Sequence, residues 1–456
     1  MQPLFCLDSR FAWCWLLPFR TGQRVKLVGF SEEECCCWQQ HLAGCQVVTD
    51  ADSFDALLVS ADKGTVSPDQ FIGQADALQV VCIIGDRRPV RRWLKVWQPF
   101  FQIRRDYGLL PSGNPRIIVP LGSAEQAVFG LALHRPGRLL ARLAVRLARL
   151  LVSIGVTAPL GRRSLSIFTR DANLLPMGIE RAGLLGEMII AGQDYALYLG
   201  TPTSDRKTVV LPVGSNFPET ILKIAETPLA RAALYNEARV LQQLRQTVLS
   251  GHVPSFKGLY ETEAVLTLRQ EFRLRRPCSK QSFEDAVLAF LSTLSFQNRQ
   301  VIPLTDLLVS LAQIEGERDK AYANTWKRLE VLASEGYEIL THRLHGDFAP
   351  WNCSWTSSGL FVYDWEEGCD SDVAFGDAFY YAIAPLVHVA RRVSAMKMAE
   401  RALDMAHQVA AKSDLPTAGL EVYFVLWVLK RVLSQKGQPG TFDYGQLVLA
   451  LGPEWR

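Results

Sequence analysis

The stretch Leu344-His345-Gly346-Asp347-Phe348-Ala349-Pro350-Trp351-Asn352, followed by Val362-Tyr363-Asp364-Trp365-Glu366, constrains this chain more than any other feature. It sets an Asp, an Asn five residues on and a second Asp twelve beyond that into two strand-to-loop settings. Ile339-Leu340 lead into the first acid and Leu360-Phe361-Val362-Tyr363 run directly into the second. Both acids therefore stand at strand ends, where ligand groups usually project. Phosphoryl transfer from a nucleotide needs such a set. One carboxylate orients and deprotonates the attacking hydroxyl, while an amide oxygen and another carboxylate hold the magnesium that neutralises the phosphates. Asp347 suits the first role, Asn352 and Asp364 the second. The bland alternative is an Asx-rich turn between two strands, and the length of the block with its apolar lead-ins weighs against it.

HGDFAPWN followed by YDWE resembles the catalytic segment of the aminoglycoside phosphotransferase and choline kinase superfamily, the small-molecule branch of the protein-kinase-like fold. The resemblance implies Asp347 as catalytic base, Asn352 and Asp364 as magnesium ligands and His345 as a structural support of the loop. A protein kinase would carry HRD and DFG with an APE segment after them. HGD and DWE without APE favour a small-molecule acceptor. Glu366, two residues past Asp364, is placed to tune the site or to contact the acceptor.

The remaining parts of a kinase have candidates upstream. A strand Lys must meet the phosphates and a helix Glu must hold that Lys. Glu219-Thr220-Ile221-Leu222-Lys223-Ile224-Ala225 is an apolar strand with one Lys, costly to bury without an anionic partner. Glu237 follows fourteen residues later, with Val240, Leu241 and Leu244 at i+3, i+4 and i+7, on the apolar face of a helix. A Lys223–Glu237 ion pair answers both. Tyr195 to Leu199 and Thr208 to Leu211 read as two earlier strands. The turn between them stands where the fold places its phosphate-covering loop. It lacks GxGxxG, but Thr203 and Ser204 are candidate phosphate contacts, and the choice between ATP and GTP stays open. Ala264 to Phe272 reads as a last strand running into a hinge, and Arg273 to Arg276 after it as solvated charge. Helical spacing follows over Phe283–Leu294, Leu304–Leu311, Tyr322–Leu332, Phe375–Ala382, Ala395–Val409 and Leu420–Leu433. Asp377 sits where it would cap a helix.

The expected fold is α+β: a protein-kinase-like bilobal fold, with a β-rich N-lobe over residues 164–272 and a helical C-lobe over 273–456. A small degenerate Rossmann-like α/β domain over residues 1–135 and a basic amphipathic helix and linker over 136–163 precede it. Its strands are expected at Val25–Phe30, Cys45–Val48, Ala56–Ser60 and Val80–Gly85, with a helix over Glu32–Leu42. The turn after the first strand has one Gly and three acids, which would repel a pyrophosphate. A truncated methyltransferase-like fold is a further reading of this domain, without a visible cofactor site, and a scaffold or partner-binding role is favoured.

Charge is uneven. From Arg87 to Arg149 there are thirteen Lys or Arg and two acids, in a chain of net charge only +3. Arg138, Arg142, Arg146 and Arg149 line a leucine-rich helix that fits an anionic membrane surface. The alternative is a linker helix packed on a lobe with its arginines solvated. Nucleic acid is disfavoured: Trp93, Trp97, Phe100 and Phe101 sit among basic residues, but no recognised module appears. The early run Phe11–Phe19 is too short to span a bilayer and a poor signal peptide. Ten cysteines without a CxxC pair fit free thiols in a reducing cytoplasm, with peripheral attachment to the inner membrane face as an option.

These residues lead to a kinase using ATP, or GTP, and Mg2+ to phosphorylate a hydroxyl of a sugar, sugar alcohol or amino alcohol. Glu366, Glu367, Asp370 and Asp372 would welcome a cationic or hydroxyl-rich acceptor, and Trp351 and Trp355 could stack on it. The rival is a pseudokinase-like adaptor whose basic N-terminal region docks a membrane or protein partner.

Overall fold

The computed structural model describes residues 12–42, 44–48, 53–63, 66–111, 114–133, 139–156, 160, 162–171, 174, 176–177, 194–200, 203, 205–213, 219–315, 322–390, 393–434 and 442–451. The chain divides into two compact units, residues 1–234 with 257–273, and 235–256 with 274–456.

The first unit is built on one sheet of twelve strands. They are β1 (Arg24–Val28), β2 (Gln46–Val48), β3 (Ala56–Ser60), β4 (Val80–Asp86), β5 (Ile103–Leu110), β6 (Ile117–Pro120), β7 (Arg163–Thr169), β8 (Asp194–Tyr198), β9 (Lys207–Val213), β10 (Thr220–Ala225), β11 (Phe256–Glu261) and β12 (Leu266–Glu271). Their order is β11-β12-β10-β9-β8-β6-β5-β7-β4-β3-β1-β2. β2, β1, β3 and β4 run parallel. β7, β5 and β6 continue the sheet antiparallel. The parallel sheet expected from the apolar runs thus covers four strands only. β5 and β7 escape a hydropathy reading because Arg104, Arg105, Ser164 and Ser166 interrupt their apolar positions.

Period-two alternation explains the layers. In β4, Val80, Cys82 and Ile84 join one core with Trp15, Trp38 and Tyr107. Val81 and Ile83 join the opposite one beneath the helix Arg87–Trp97, with Trp93, Trp97 and Phe101. The aromatics of the basic stretch are therefore core residues, which removes the stacking surface a nucleic-acid reading would need. The acids after β1 serve a helix start: Glu34 accepts from the Ser31 amide at 2.7 Å and Ser31 caps Glu34, a reciprocal capping box.

β6 and β8 pair antiparallel through Ile117–Tyr198 and Ile118–Leu197, which joins the N-terminal strands to β8–β12. One core runs beneath both parts, from Val25 on β1 to Ile224 on β10. The strands β8, β9 and β10 form a meander, and β12 returns to pair with β10. Lys223 lies on β10, the third strand of this group, and the helix Pro228–Leu244 follows directly.

The second unit holds a three-stranded antiparallel sheet, β13 (Gln300–Pro303), β14 (Glu338–Leu344) and β17 (Cys369–Val373), and a hairpin of β15 (Cys353–Thr356) and β16 (Gly359–Val362). Helices Lys280–Leu294, Leu304–Glu315, Ala323–Ser334, Gly376–Pro385, Ala395–Lys412 and Leu420–Ser434 match the six expected from apolar spacing. They enclose a core that includes Phe348, Trp365, Phe379 and Phe424. Among the described residues, no helix is long and apolar enough to cross a membrane, and the cysteines are free.

Candidate active site

β14 carries the chain to Leu344, and the buried His345 follows. Gly346 then turns the backbone at φ +83°, where a Cβ would stand 2.2 Å from the Glu367 carbonyl oxygen, so a side chain there would be excluded on both counts. His345 ties the loop to the next segment. Its Nδ1 accepts from the Asp347 amide at 3.3 Å and its Nε2 donates to the Tyr363 carbonyl at 2.8 Å, a pattern that fits the neutral tautomer protonated at Nε2. The ring also lies 4.5 Å from that of Trp365.

Asn352 binds Asp347 directly. Its Nδ2 donates to the Asp347 carbonyl and to Asp347 Oδ2, each at 2.8 Å, which turns the amide oxygen away from the acid. The Tyr363 amide donates to the Asn352 carbonyl at 2.9 Å. Asp364 comes next, in the left-handed region at φ 68°, ψ 56°, which a short polar side chain tolerates better than a branched one. Burial raises the Asp347 pKa, and the charge of Asp364 raises it further; hydrogen bonds from Tyr380 and Asn352 and the charge of Arg431 oppose both. The same loop thus holds a carboxylate made more basic than usual, beside an amide and a second carboxylate.

Glu237, Asp364 and Glu366 each offer a carboxylate oxygen within 4.8 Å of the others. An all-oxygen donor set of this kind suits a hard divalent cation such as magnesium. Glu366 therefore belongs with Asp364 and Glu237, and Asn236 Nδ2 fixes its backbone by donating to the Glu366 carbonyl at 2.7 Å. Lys223 is buried on β10, in the first unit. Thr203 is exposed in the turn between β8 and β9, its carbonyl accepting from the Arg206 amide at 3.1 Å. Ser204 and Arg138 lie outside the described residues, and of Arg142 only the backbone is described.

Several expectations need correction. Asp377 caps no helix: it is buried and accepts from the His345 amide at 2.6 Å and the Gly346 amide at 3.0 Å, the donors that the turn leaves without a strand partner. The acids past the site are taken up by cations. Asp370 pairs with Arg239 and Arg343, and Asp372 with Lys430, so these two are not free to receive an acceptor. Arg275, expected in solvent, donates to Ser354 Oγ on β15 at 2.8 Å.

Three side chains beside Asp347 were not singled out by the sequence. Tyr380 donates to Asp347. Arg431 donates to the Gly346 carbonyl and lies over the rings of Tyr380 (4.8 Å) and Trp427 (5.7 Å). His388 feels the Asp347 charge and packs edge-on to Trp351. A signal for Arg431 existed: Lys430-Arg431 interrupts an otherwise apolar helix.

No protein-family model matches the chain, and no curated protein matches it. Solved structures of small-molecule kinases do match it, at low sequence identity. An amicoumacin kinase in complex with AMP-PNP, Ca2+ and Ami is 14% identical, over 60% of this chain and 90% of that one, with a TM-score of 0.40. A Plasmodium vivax ethanolamine kinase is 11% identical over 61% and 87%, with a TM-score of 0.35. An aminoglycoside phosphotransferase in complex with gentamicin is 13% identical over 55% and 87%, with a TM-score of 0.32.

Proposed function

We propose that this protein is a magnesium- and nucleotide-dependent phosphotransferase acting on a hydroxyl of a small molecule: a sugar, a sugar alcohol or an amino alcohol. The observation that carries the reading is the contact of Asn352 Nδ2 with Asp347 Oδ2 at 2.8 Å, on a loop whose Asp347 also feels the charge of Asp364. Asp347 is the base that orients the acceptor hydroxyl and takes its proton. Asn352 holds Asp347 by its amide nitrogen and presents its oxygen to the cation. Asp364 is the second metal ligand, with Glu366 beside it. Lys223 is assigned to the nucleotide phosphates with Glu237 as its counter-ion, and Thr203 and Ser204 to the covering turn. The bound nucleotide, ATP or GTP, would supply the phosphoryl group and Mg2+ would neutralise its charge.

A thermal-shift titration tests this first. ATP with Mg2+ at about 100 times its dissociation constant adds roughly 2.7 kcal/mol of apparent stability. The expected result is a magnesium-dependent shift in wild type that is weakened in Asp364→Ala. A folded wild-type sample that shifts with neither ATP nor GTP would sink the assignment.

A second reading, compatible with the first, concerns attachment to an anionic membrane, and one observation favours it. The helix Leu139–Ser153 turns Val152 and Ala148 inward, Val152 buried and Ala148 against the Ile117–Leu131 cluster. Leu143, Leu147 and Leu150 are 50%, 56% and 61% exposed, and Ile154 beyond the helix is 68% exposed. A surface helix normally does the opposite. Arg146 is exposed in the same helix, and no acid occurs between Glu125 and Asp171. We expect co-sedimentation with phosphatidylglycerol vesicles, lost in Leu147→Glu/Leu150→Glu. Equal sedimentation of the two proteins would exclude this face.

A further inference from the structure

The helix Arg87–Trp97 buries Val90, Trp93 and Trp97 and turns Arg87, Arg91 and Lys95 to one side, at i, i+4 and i+8. That spacing spreads three cations along about 12 Å. Arg104 of β5 and Ser164 and Ser166 of β7 close the opposite side of a cavity of about 530 Å3. A second hollow of about 660 Å3 shares Arg87 and Arg91 and adds Arg88 and Arg162. The two therefore meet at a pair of arginines.

Three acids line the two hollows, Asp106 in the first and Asp62 and Asp86 in the second, and Asp106 and Asp62 are already engaged by neighbouring donors. Asp106 accepts from Arg104 at 3.0 Å and from Ser166 at 2.6 Å. Asp62 accepts from the Asp86 amide at 2.6 Å and pairs with Arg163 at 3.3 Å. Among the described residues, Arg87, Arg88, Arg91 and Lys95 take part in no ion pair. Their neighbour Arg92, on another face of the helix, does reach an acid, Asp69 at 4.0 Å. Like charges at i, i+4 disfavour a helix, and cations crowd its positive end, where Asp86 at the N-cap makes no side-chain capping bond and the first turn has no acid. The helix thus accepts an electrostatic cost on the side that lines the cavity and not on its core side.

We propose that this cavity binds a soluble small molecule carrying two or more closely spaced phosphate groups. Arg87 and Arg91, between the hollows, grip the phosphates by charge-assisted hydrogen bonds. Lys95 adds charge along the helix. Val90, Leu94 and Leu121 give an apolar wall for the remainder of the ligand, and Ser164 a hydroxyl contact. The site is independent of the phosphotransferase reading, since none of its residues belongs to the catalytic set.

The test is calorimetric titration of the full chain with inorganic pyrophosphate, in EDTA and at about 0.15 M salt, where diffuse surface attraction is screened. We expect saturable binding, tighter than that of orthophosphate. Arg87→Ser/Arg91→Ser weakens it by about tenfold or more, while Arg92→Ser and Lys223→Ala leave it unchanged. If near-UV circular dichroism shows the double variant misfolded, Lys95→Glu, at an exposed position, takes its place with the same expectation. Absence of saturable binding overturns the proposal. So does an equal loss in Arg92→Ser, which marks a diffuse basic surface, or a loss in Lys223→Ala alone, which moves the anion to the catalytic segment. Binding confined to phosphoinositide vesicles, with none to soluble pyrophosphate, overturns it as well and assigns the cavity to a lipid headgroup.

Discussion

On the proposed function, Asp347→Ala is expected to lower phosphoryl transfer by roughly two to four orders of magnitude, the usual worth of a positioned general base, and to leave the protein folded. The fold survives because Asn352 keeps its bond to the residue-347 carbonyl and loses only the carboxylate partner. Tyr380 loses its acceptor as well, and the two losses together cost about 2 kcal/mol. The reading is made on acceptor phosphorylation, or on slow nucleotide hydrolysis before an acceptor is found, with a thermal melt on the same sample. Activity within about tenfold of wild type would refute the role, since a base contributes more than that. The wild-type pH profile has a matching sign. The base must be ionised, and burial together with Asp364 raises its pKa. The rate therefore falls as pH drops through that raised value, earlier than for an ordinary carboxylate. A profile flat down to the ordinary aspartate range contradicts the assignment.

Asp377→Ala has the largest effect on stability. It strips the acceptor from two loop amides, those of His345 and Gly346. The loop cannot relax to recover them, because Gly346 already lies against the Glu367 backbone. An orphaned buried donor costs about 1–3 kcal/mol, so the pair costs about 3–5 kcal/mol. Denaturant unfolding of wild type and variant measures it. Asp377→Asn retains one acceptor oxygen and loses about half as much. A loss under about 1 kcal/mol for the alanine variant would show that the two amides find other partners.

The loop geometry around Asp347 was legible because its information is local. Asp347 and Asn352 share one loop, and Asp347 and Asp364 follow strands whose apolar runs stand out. Lys223 and Glu237 were legible for a related reason, as charges inside apolar patterns. Tyr380, Arg431 and His388 reach Asp347 from helices distant in sequence, and no local pattern states which turn of a helix faces which loop. Asp377 shows a subtler limit. An Asp at a helix start looks the same whether it caps its own helix or serves a distant turn. The Leu143–Leu150 stripe shows another: hydropathy finds an apolar face but does not say whether the protein or something else covers it. In this helix Ala148 and Val152 are turned inward and the leucines are not.

The pairing of β6 with β8 bears on how such a protein can change over generations. Modules that meet at a flexible joint can be exchanged or lost by a cut in the gene. Here a cut near residue 163 would leave β8 as an open edge, with the backbone of Leu197 and Tyr198 unpaired on that side and half of a shared core missing. Bare edges of this kind recruit other chains and aggregate. The N-terminal strands and the strand that carries Lys223 thus stand or fall together, as parts of one sheet over one core.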